Sequence, residues 1–347
     1  MLEFSKKQKN SMTRMATPTP FGTSTCAPSV APQPSYRYQN IVTSDSEHHA
    51  ACLSDWEQTY NQLEGGRFSG ELIDIGFSGV QVFRESTNRS VFQNGSPKAD
   101  CVVIGTTVGM EGQGLFSGKQ FGPADLIMFN GSQGFSLVTP KRFDVLAVTV
   151  PRLELLQLLA LEGIDTSALS NSILVKPSSD ALNSLKRCLL EILSPGLQSA
   201  SSLGYSQVQR VYKSALLSTT VNAIRSSHPV DEPSRCFRSR SHLVRTIVDW
   251  VMSRRDDPPT IYEICLKFNV GRRVLNYSFV EVVGSSPLNF LRSMRLNGAR
   301  RDLRKQGRNQ SVQEIAGRWG FCHMPRFSTE YRKLFGELPS QTRQQAS

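Results

Sequence analysis

The last third of the chain repeats itself. Thr260-Ile-Tyr-Glu263 and Ser311-Val-Gln-Glu314 share the pattern Ser/Thr-x-x-Glu and stand 51 residues apart. Ile261, Ile264, Cys265 and Phe268 recur at the same offset as Val312, Ile315, Ala316 and Trp319. Further on the offset becomes 52, pairing Leu275 with Phe327, Phe279 with Tyr331, Gly284 with Gly336 and Pro287 with Pro339. One extra residue in the second copy explains the step. A duplication of this kind narrows the choice of fold more than composition does, because the same supersecondary unit must form twice.

Each Ser/Thr-x-x-Glu is a capping box. The hydroxyl accepts a backbone N–H of the first turn while the glutamate reaches back to the cap. Each copy therefore predicts a short helix, a tight turn and a second helix that ends at glycine and proline, over residues 260–280 and 311–332. In the second copy Gly320-Phe321 is the turn. This is the layout of a helix-turn-helix unit, whose second helix enters the DNA major groove. The intervening stretch PLNFLRSMRLNGARRDLRKQ predicts one long basic helix holding the two units apart. Such a rigid link suits DNA, where successive major-groove faces lie about 34 Å apart. The competing reading is an ordinary helical bundle with a basic surface.

Charge separates the chain in the same place. From Arg235 onward there are 21 Lys+Arg against 9 Asp+Glu, whereas the preceding residues carry 19 and 20. A basic module joined to a neutral one points to a polyanion partner.

Residues 1–40, rich in Ser, Thr, Pro and Gln, read as a disordered tail. A sensor or dimerisation domain is expected over 55–225. A short helical pattern at Asp55–Gln62 precedes apolar runs broken by Gly and Ser turns, which suggest an antiparallel β-barrel or sandwich over 66–150. Helices follow over 151–225. PRLELLQLLALEG opens with a tolerated proline, then Leu182, Leu185, Leu189 and Ile192 fall at helical spacing, and Val208, Val211, Tyr212, Ala215 and Leu216 form a third stripe. These stripes fit either an intramolecular core or a homodimer interface. The polar segment 226–241 reads as a linker to the DNA-binding domain at 242–347. The fold class is thus α+β, with a β-barrel and packed helices followed by an all-α domain.

Other chemistry finds little support. Seven scattered cysteines without a CxxC pair suit a reducing cytoplasm. The basic N-terminus has no apolar run behind it and is no secretory signal, and no stretch has the apolar length to span a bilayer. The five histidines lie at 48, 49, 228, 242 and 323, with none in 66–150, so no metal set and no cofactor is expected there. Gly112, Gly114 and Gly118 read as turns, because no helix follows them. No nucleophile or metal supports an enzyme.

Over about 244–343 the sequence resembles the AraC/XylS family of bacterial transcription regulators. The resemblance rests on Arg295-Leu296, Ala299 and Leu303 in the connecting helix and on EIAGRWGF and RFSTEYRKLFGELPS in the second unit. The run WEQTYNQLEGGRFSGELIDIGFSGVQVFRE is similar to the ethanolamine-utilisation regulator and its relatives. The resemblance implies a cytoplasmic, ligand-responsive regulator of a catabolic operon, an activator rather than a repressor. Its cupin-like sensor would bind a small-molecule effector, and RNA polymerase would be a partner. Carried onto matching positions, the first recognition helix presents Arg272, Arg273, Asn276 and Tyr277, and the second Met324, Pro325, Ser328 and Thr329. Arginine pairs with guanine and asparagine with adenine, whereas Thr329 or Met324 would touch a thymine methyl or the backbone. His323 is expected as a cap or phosphate contact. Gly271 and Cys322-His323-Met324-Pro325 depart from the usual pattern. Phe83, Arg84, Phe116 and Phe135 are the expected pocket residues. Two alternatives stay open: a protein partner for the first domain, and nonspecific DNA binding by the second.

Overall fold

The computed structural model describes residues 36–97, 100–165, 173–194, 202–229, 235–254, 259–305 and 310–345. Two antiparallel sheets form the N-terminal part. In spatial order the larger runs Tyr36–Thr43, Gly70–Phe77, Val80–Thr87, Phe143–Pro151, Cys101–Met110, Leu126–Asn130, Ile173–Lys176 and His228–Pro229. The smaller runs Trp56–Gln62, Val91–Pro97, Phe135–Val138, Gly114–Phe116 and Lys119–Phe121. Strand neighbours alternate their side chains between the two faces. Leu72, Phe83, Val103 and Val145 from the larger sheet therefore meet Trp56, Phe116, Phe121 and Leu137 from the smaller in a shared core.

The opposite face of the larger sheet is covered by helices. Among the described residues the helices of this half are α1 (Ser46–Cys52), α2 (Arg152–Leu161), α3 (Ser179–Ile192) and α4 (Ser206–Arg225). Ile75, Val82, Ile104, Leu146 and Val148 from that face pack with Leu155, Leu185, Leu189 and Leu216 from α2, α3 and α4. Leu182, Leu185, Leu189 and Ile192 all face inward, as their spacing predicts. In α4 the stripe is rotated. Gln209, Leu216, Leu217 and Val221 are buried, whereas Val211 is 66% exposed.

Three expectations change. Asp55–Gln62 is not helical: Asp55 turns the chain at φ 61° and Trp56–Gln62 is a strand paired along its length with Val91–Pro97. Pairing to a neighbouring strand supplies the backbone partners that a helix would have found locally. The tail is shorter than expected, since Tyr36–Thr43 pairs with Gly70–Phe77; residues before 36 lie outside the described ones. Within 226–241, His228–Pro229 pairs with Val175 and Lys176, and a helix begins at Arg235; residues 230–234 lie outside the described ones.

The C-terminal part is helical: α5 (Arg235–Ser253), α6 (Ile261–Lys267), α7 (Arg272–Val283), α8 (Pro287–Lys305), α9 (Val312–Arg318), α10 (Met324–Phe335) and α11 (Pro339–Gln345). Both capping boxes form. Glu263 N donates to Thr260 Oγ1 at 3.3 Å and Thr260 N to Glu263 Oε2 at 2.6 Å; the Ser311–Glu314 distances are 3.1 and 2.7 Å. Each turn is closed in the same way. Val270 N donates to Cys265 O and Phe321 N to Ala316 O, each across a left-handed residue, Asn269 (φ 48°) and Gly320 (φ 76°). This is the pattern by which a helix satisfies its last carbonyls while reversing direction.

Helix α8 belongs to both units. Phe290, Leu291 and Met294 enter the core built from α5, α6 and α7, while Leu296, Ala299 and Leu303 enter the core of α9 and α10. Its 19 residues span about 28 Å. Gly298 leaves room for the Trp319 ring, whose indole N–H donates to the buried Asp302 at 2.9 Å.

Candidate nucleic-acid interface and ligand cavity

Helix α7 buries Leu275, Phe279, Val282 and Val283 and exposes Arg272, Arg273, Asn276 and Tyr277 together. These four occupy the first turn and a half, the part of a recognition helix that meets base edges. The Arg273 guanidinium sits 5.6 Å above the Tyr277 ring and its Nη2 donates to the Tyr277 hydroxyl at 3.5 Å, which holds two long side chains in register. Gly271 caps α7 without a side-chain bond and has open space around its Cβ position.

Helix α10 presents a different surface. His323 caps it, with Nδ1 accepting from Arg326 N at 3.3 Å. Pro325 stands in the first turn, where its missing N–H costs nothing. Met324 is half-buried against the unit's core, and the Thr329 hydroxyl donates to Pro325 O at 2.9 Å. Ser328 is half-buried. Of the expected set, only Pro325, Thr329 and His323 are fully exposed. Arg326, exposed and paired with Glu330 at 2.9 Å, was not anticipated. Its place one turn before Glu330 was the available signal.

The two sheets line a cavity of about 50 Å³. Trp56, Phe83, Phe116, Phe129 and Phe135 are in its lining, together with Gln58, Tyr60, Glu85 and Gln93. Of the four expected pocket residues, the structure gathers Phe83, Phe116 and Phe135 here. Arg84 points to the other face of its strand, in a bidentate pair with Asp144 at 2.9 and 2.6 Å. Burial, then the neighbouring Glu85, pushes the Tyr60 hydroxyl well above its usual pKa, so it stays protonated and hydrogen-bonds Glu85. His49, on α1, places Nε2 3.1 Å from Glu85 Oε1. A wider groove of about 520 Å³ opens beside Arg37, Ser78 and Asp100.

Sequence reasoning missed the contact between the two halves. Asn297, on α8, exchanges two hydrogen bonds with the backbone of Gln62, both 2.9 Å. The Gln62 side chain donates to Leu334 O at 2.7 Å, and Gly66 N to the same carbonyl at 3.0 Å. Asp45, which caps α1, meets Arg300 Nε at 2.8 Å and Arg304 at 3.0 Å; Arg300 also pairs with Glu337 at 2.8 Å. Burial pushes the Asp45 carboxyl up, but Arg300, the His48 N–H and Arg304 more than offset it and leave the carboxyl below its ordinary value. Phe92 of the smaller sheet stacks edge-on against Phe290, 5.2 Å between centroids.

Residues 264–345 match the helix-turn-helix domain family. The probable thc operon regulatory protein of Rhodococcus erythropolis is 36% identical over 100 residues, 28% of this chain and 30% of that protein. The XylDLEGF operon transcriptional activator 2 of Pseudomonas putida is 39% identical over 71 residues, 20% of this chain and 45% of that protein. The chain thus spans less than half the length of these curated relatives. Among solved structures, the AraC-like transcriptional activator CuxR aligns with 74% of this chain and 94% of its own at 16% identity and a TM-score of 0.38. The segment 264–345 is thus similar to the helix-turn-helix domain family and, over that part of the chain, to transcription regulators of bacteria.

Proposed function

We propose that the chain is a sequence-specific DNA-binding transcription regulator of the AraC/XylS type, in which α7 and α10 enter successive major grooves of double-stranded DNA. The observation that carries this is the exposed cluster of Arg272, Arg273, Asn276 and Tyr277 at the start of α7, on a unit repeated along a rigid helix. Arg272 or Arg273 pairs with guanine O6 and N7, and Asn276 with adenine N6 and N7. Helix α10 contributes positioning more than base reading, through His323, Met324, Pro325, Ser328 and Thr329, since Met324 and Ser328 are half-buried and the Thr329 hydroxyl is engaged within its own helix.

In this reading the sheet domain is the sensor of a small-molecule effector, the chain activates a catabolic operon with RNA polymerase in the cytoplasm, and copies pair through α2 and α4. Leu153, Leu161 and Val211 on those helices are 68%, 84% and 66% exposed. The likeness of the Trp56–Glu85 run to the ethanolamine-utilisation regulator supports a sensor role for that domain. A footprint of the full chain on the DNA flanking its own gene, near physiological salt, tests the reading. Two protected patches one helical turn apart on one face are expected. Diffuse protection that disappears with modest salt would instead mean nonspecific phosphate binding.

A further inference from the structure

The cavity between the sheets has a chemistry of its own. Gln93 is 2% exposed and its amide nitrogen has no hydrogen-bond partner. A buried donor left unpaired destabilises the fold unless something arrives to accept from it. Glu85 also lines the cavity, an acceptor already engaged by Tyr60 and neighboured by His49. The cavity wall contains this carboxyl and no lysine or arginine.

Those facts sort the possible head groups. A carboxylate or phosphate would be set against Glu85 without a cation in the wall. An ammonium has no lone pair and would leave the Gln93 N–H unpaired. A hydroxyl does both jobs, accepting from Gln93 and donating to Glu85. Size narrows the choice again: about 50 Å³ is a third of the ~150 Å³ known to admit benzene in an engineered cavity. We propose that this cavity binds a short-chain neutral alcohol of about four heavy atoms, its hydroxyl between Gln93 and Glu85 and its carbon chain among Trp56, Phe83 and Phe129. The proposal rests on the sensor role given above to the sheet domain and names the ligand class for it.

Gly105 supplies the decisive variant. It lies in the cavity wall, and a Cβ there would meet Ala147 Cβ at 3.7 Å and Leu146 O at 3.8 Å, ordinary contacts that need no rearrangement. Gly105→Ala therefore fills cavity space without straining the fold. The experiment is ligand-observed NMR on the full chain with 1-propanol, propylamine and propionate as probes. Binding of 1-propanol is expected, with a Kd no tighter than roughly tens of micromolar for so few atoms. Gly105→Ala and Gln93→Leu should each weaken it about tenfold or more, the loss of a hydrogen bond to a buried group being of that order. Propionate or propylamine binding as well as 1-propanol, or 1-propanol binding that both variants leave unchanged, overturns the assignment. A normal DNA footprint without 1-propanol binding sinks the ligand class alone. Binding that Gly105→Ala abolishes, in a chain with no footprint, upholds the cavity assignment and sinks the regulator reading.

Discussion

Asp45→Asn would remove one negative charge from the contact between the two halves while keeping a cap for α1. The amide oxygen of asparagine still accepts from His48 N, now 2.8 Å from Asp45 Oδ1. What is lost is the charge facing Arg300 at 2.8 Å, with side-chain exposures of 10% and 3%, and facing Arg304 at 3.0 Å. A hydrogen bond between charged groups in such surroundings contributes roughly 1.5–3 kcal/mol. Arg304 is 32% exposed, so water screens its share to about 0–1 kcal/mol. Arg300 keeps Glu337, so the loss stays short of the 3–5 kcal/mol typical when a buried charge is stranded. The expected cost is about 2–3 kcal/mol, read from urea unfolding of the full chain followed by circular dichroism. Arg300→Met should cost more, because it removes the one guanidinium that both Asp45 and Glu337 share. The double variant closes a cycle whose coupling should exceed ~1 kcal/mol. Single-variant losses under about 0.5 kcal/mol, or additivity within that margin, would refute the idea that this pair joins the halves.

Four further outcomes follow from the geometry. Arg273→Ala should weaken specific DNA binding by roughly 1–3 kcal/mol and relax preference at one base pair, whereas equal loss on random DNA would remove it from base reading. Gly298→Ala should cost about 1–3 kcal/mol in a melting experiment, because its methyl would press on a Trp319 ring fixed by Asp302. Gly284 and Gly336 both end helices with positive φ, 70° and 73°, but only Gly336 has Arg67 close by, at 2.7 Å from a Cβ. Gly336→Ala should therefore lower the urea midpoint more than Gly284→Ala, each by about 1 kcal/mol or more. Because the folded Asp45 carboxyl stands below its ordinary value of 3.8, its contribution is complete above that pH and is lost as pH falls through the folded value. Wild-type stability should fall more steeply below about pH 4 than that of Asp45→Asn.

What the sequence disclosed was local and repeated. The capping boxes, the turn at Gly320 and the glycines at 284 and 336 each depend on a few neighbouring residues, and two copies made the pattern visible. The strand Trp56–Gln62 was hidden because its inward positions alternate aromatic and amide residues. Gln58 donates to Ala50 O and Gln62 to Leu334 O, so polarity there reports internal hydrogen bonding rather than exposure. Asp45 and His49 were hidden for the same reason, being buried polar residues in the hydrophilic run Ser44–His49. The Asn297–Gln62 pair joins residues far apart in the chain, and no local period announces such a contact.

Helix α8 meets the sheet domain in two unlike ways. Near its start the contact is apolar, Phe290 against Phe92 with Leu63 and Val138 beside them. Near its end it is polar and directional, through Asn297, Arg300 and Arg304. Apolar contact tolerates small rotations because it has no angular demand, whereas hydrogen bonds weaken steeply with misalignment. The first end behaves as a pivot and the second as a keyed latch. A small turn of α8 about Phe290 would thus carry both units with it and displace the second further than the first, so that a handful of polar atoms sets how the helical half sits against the sheets.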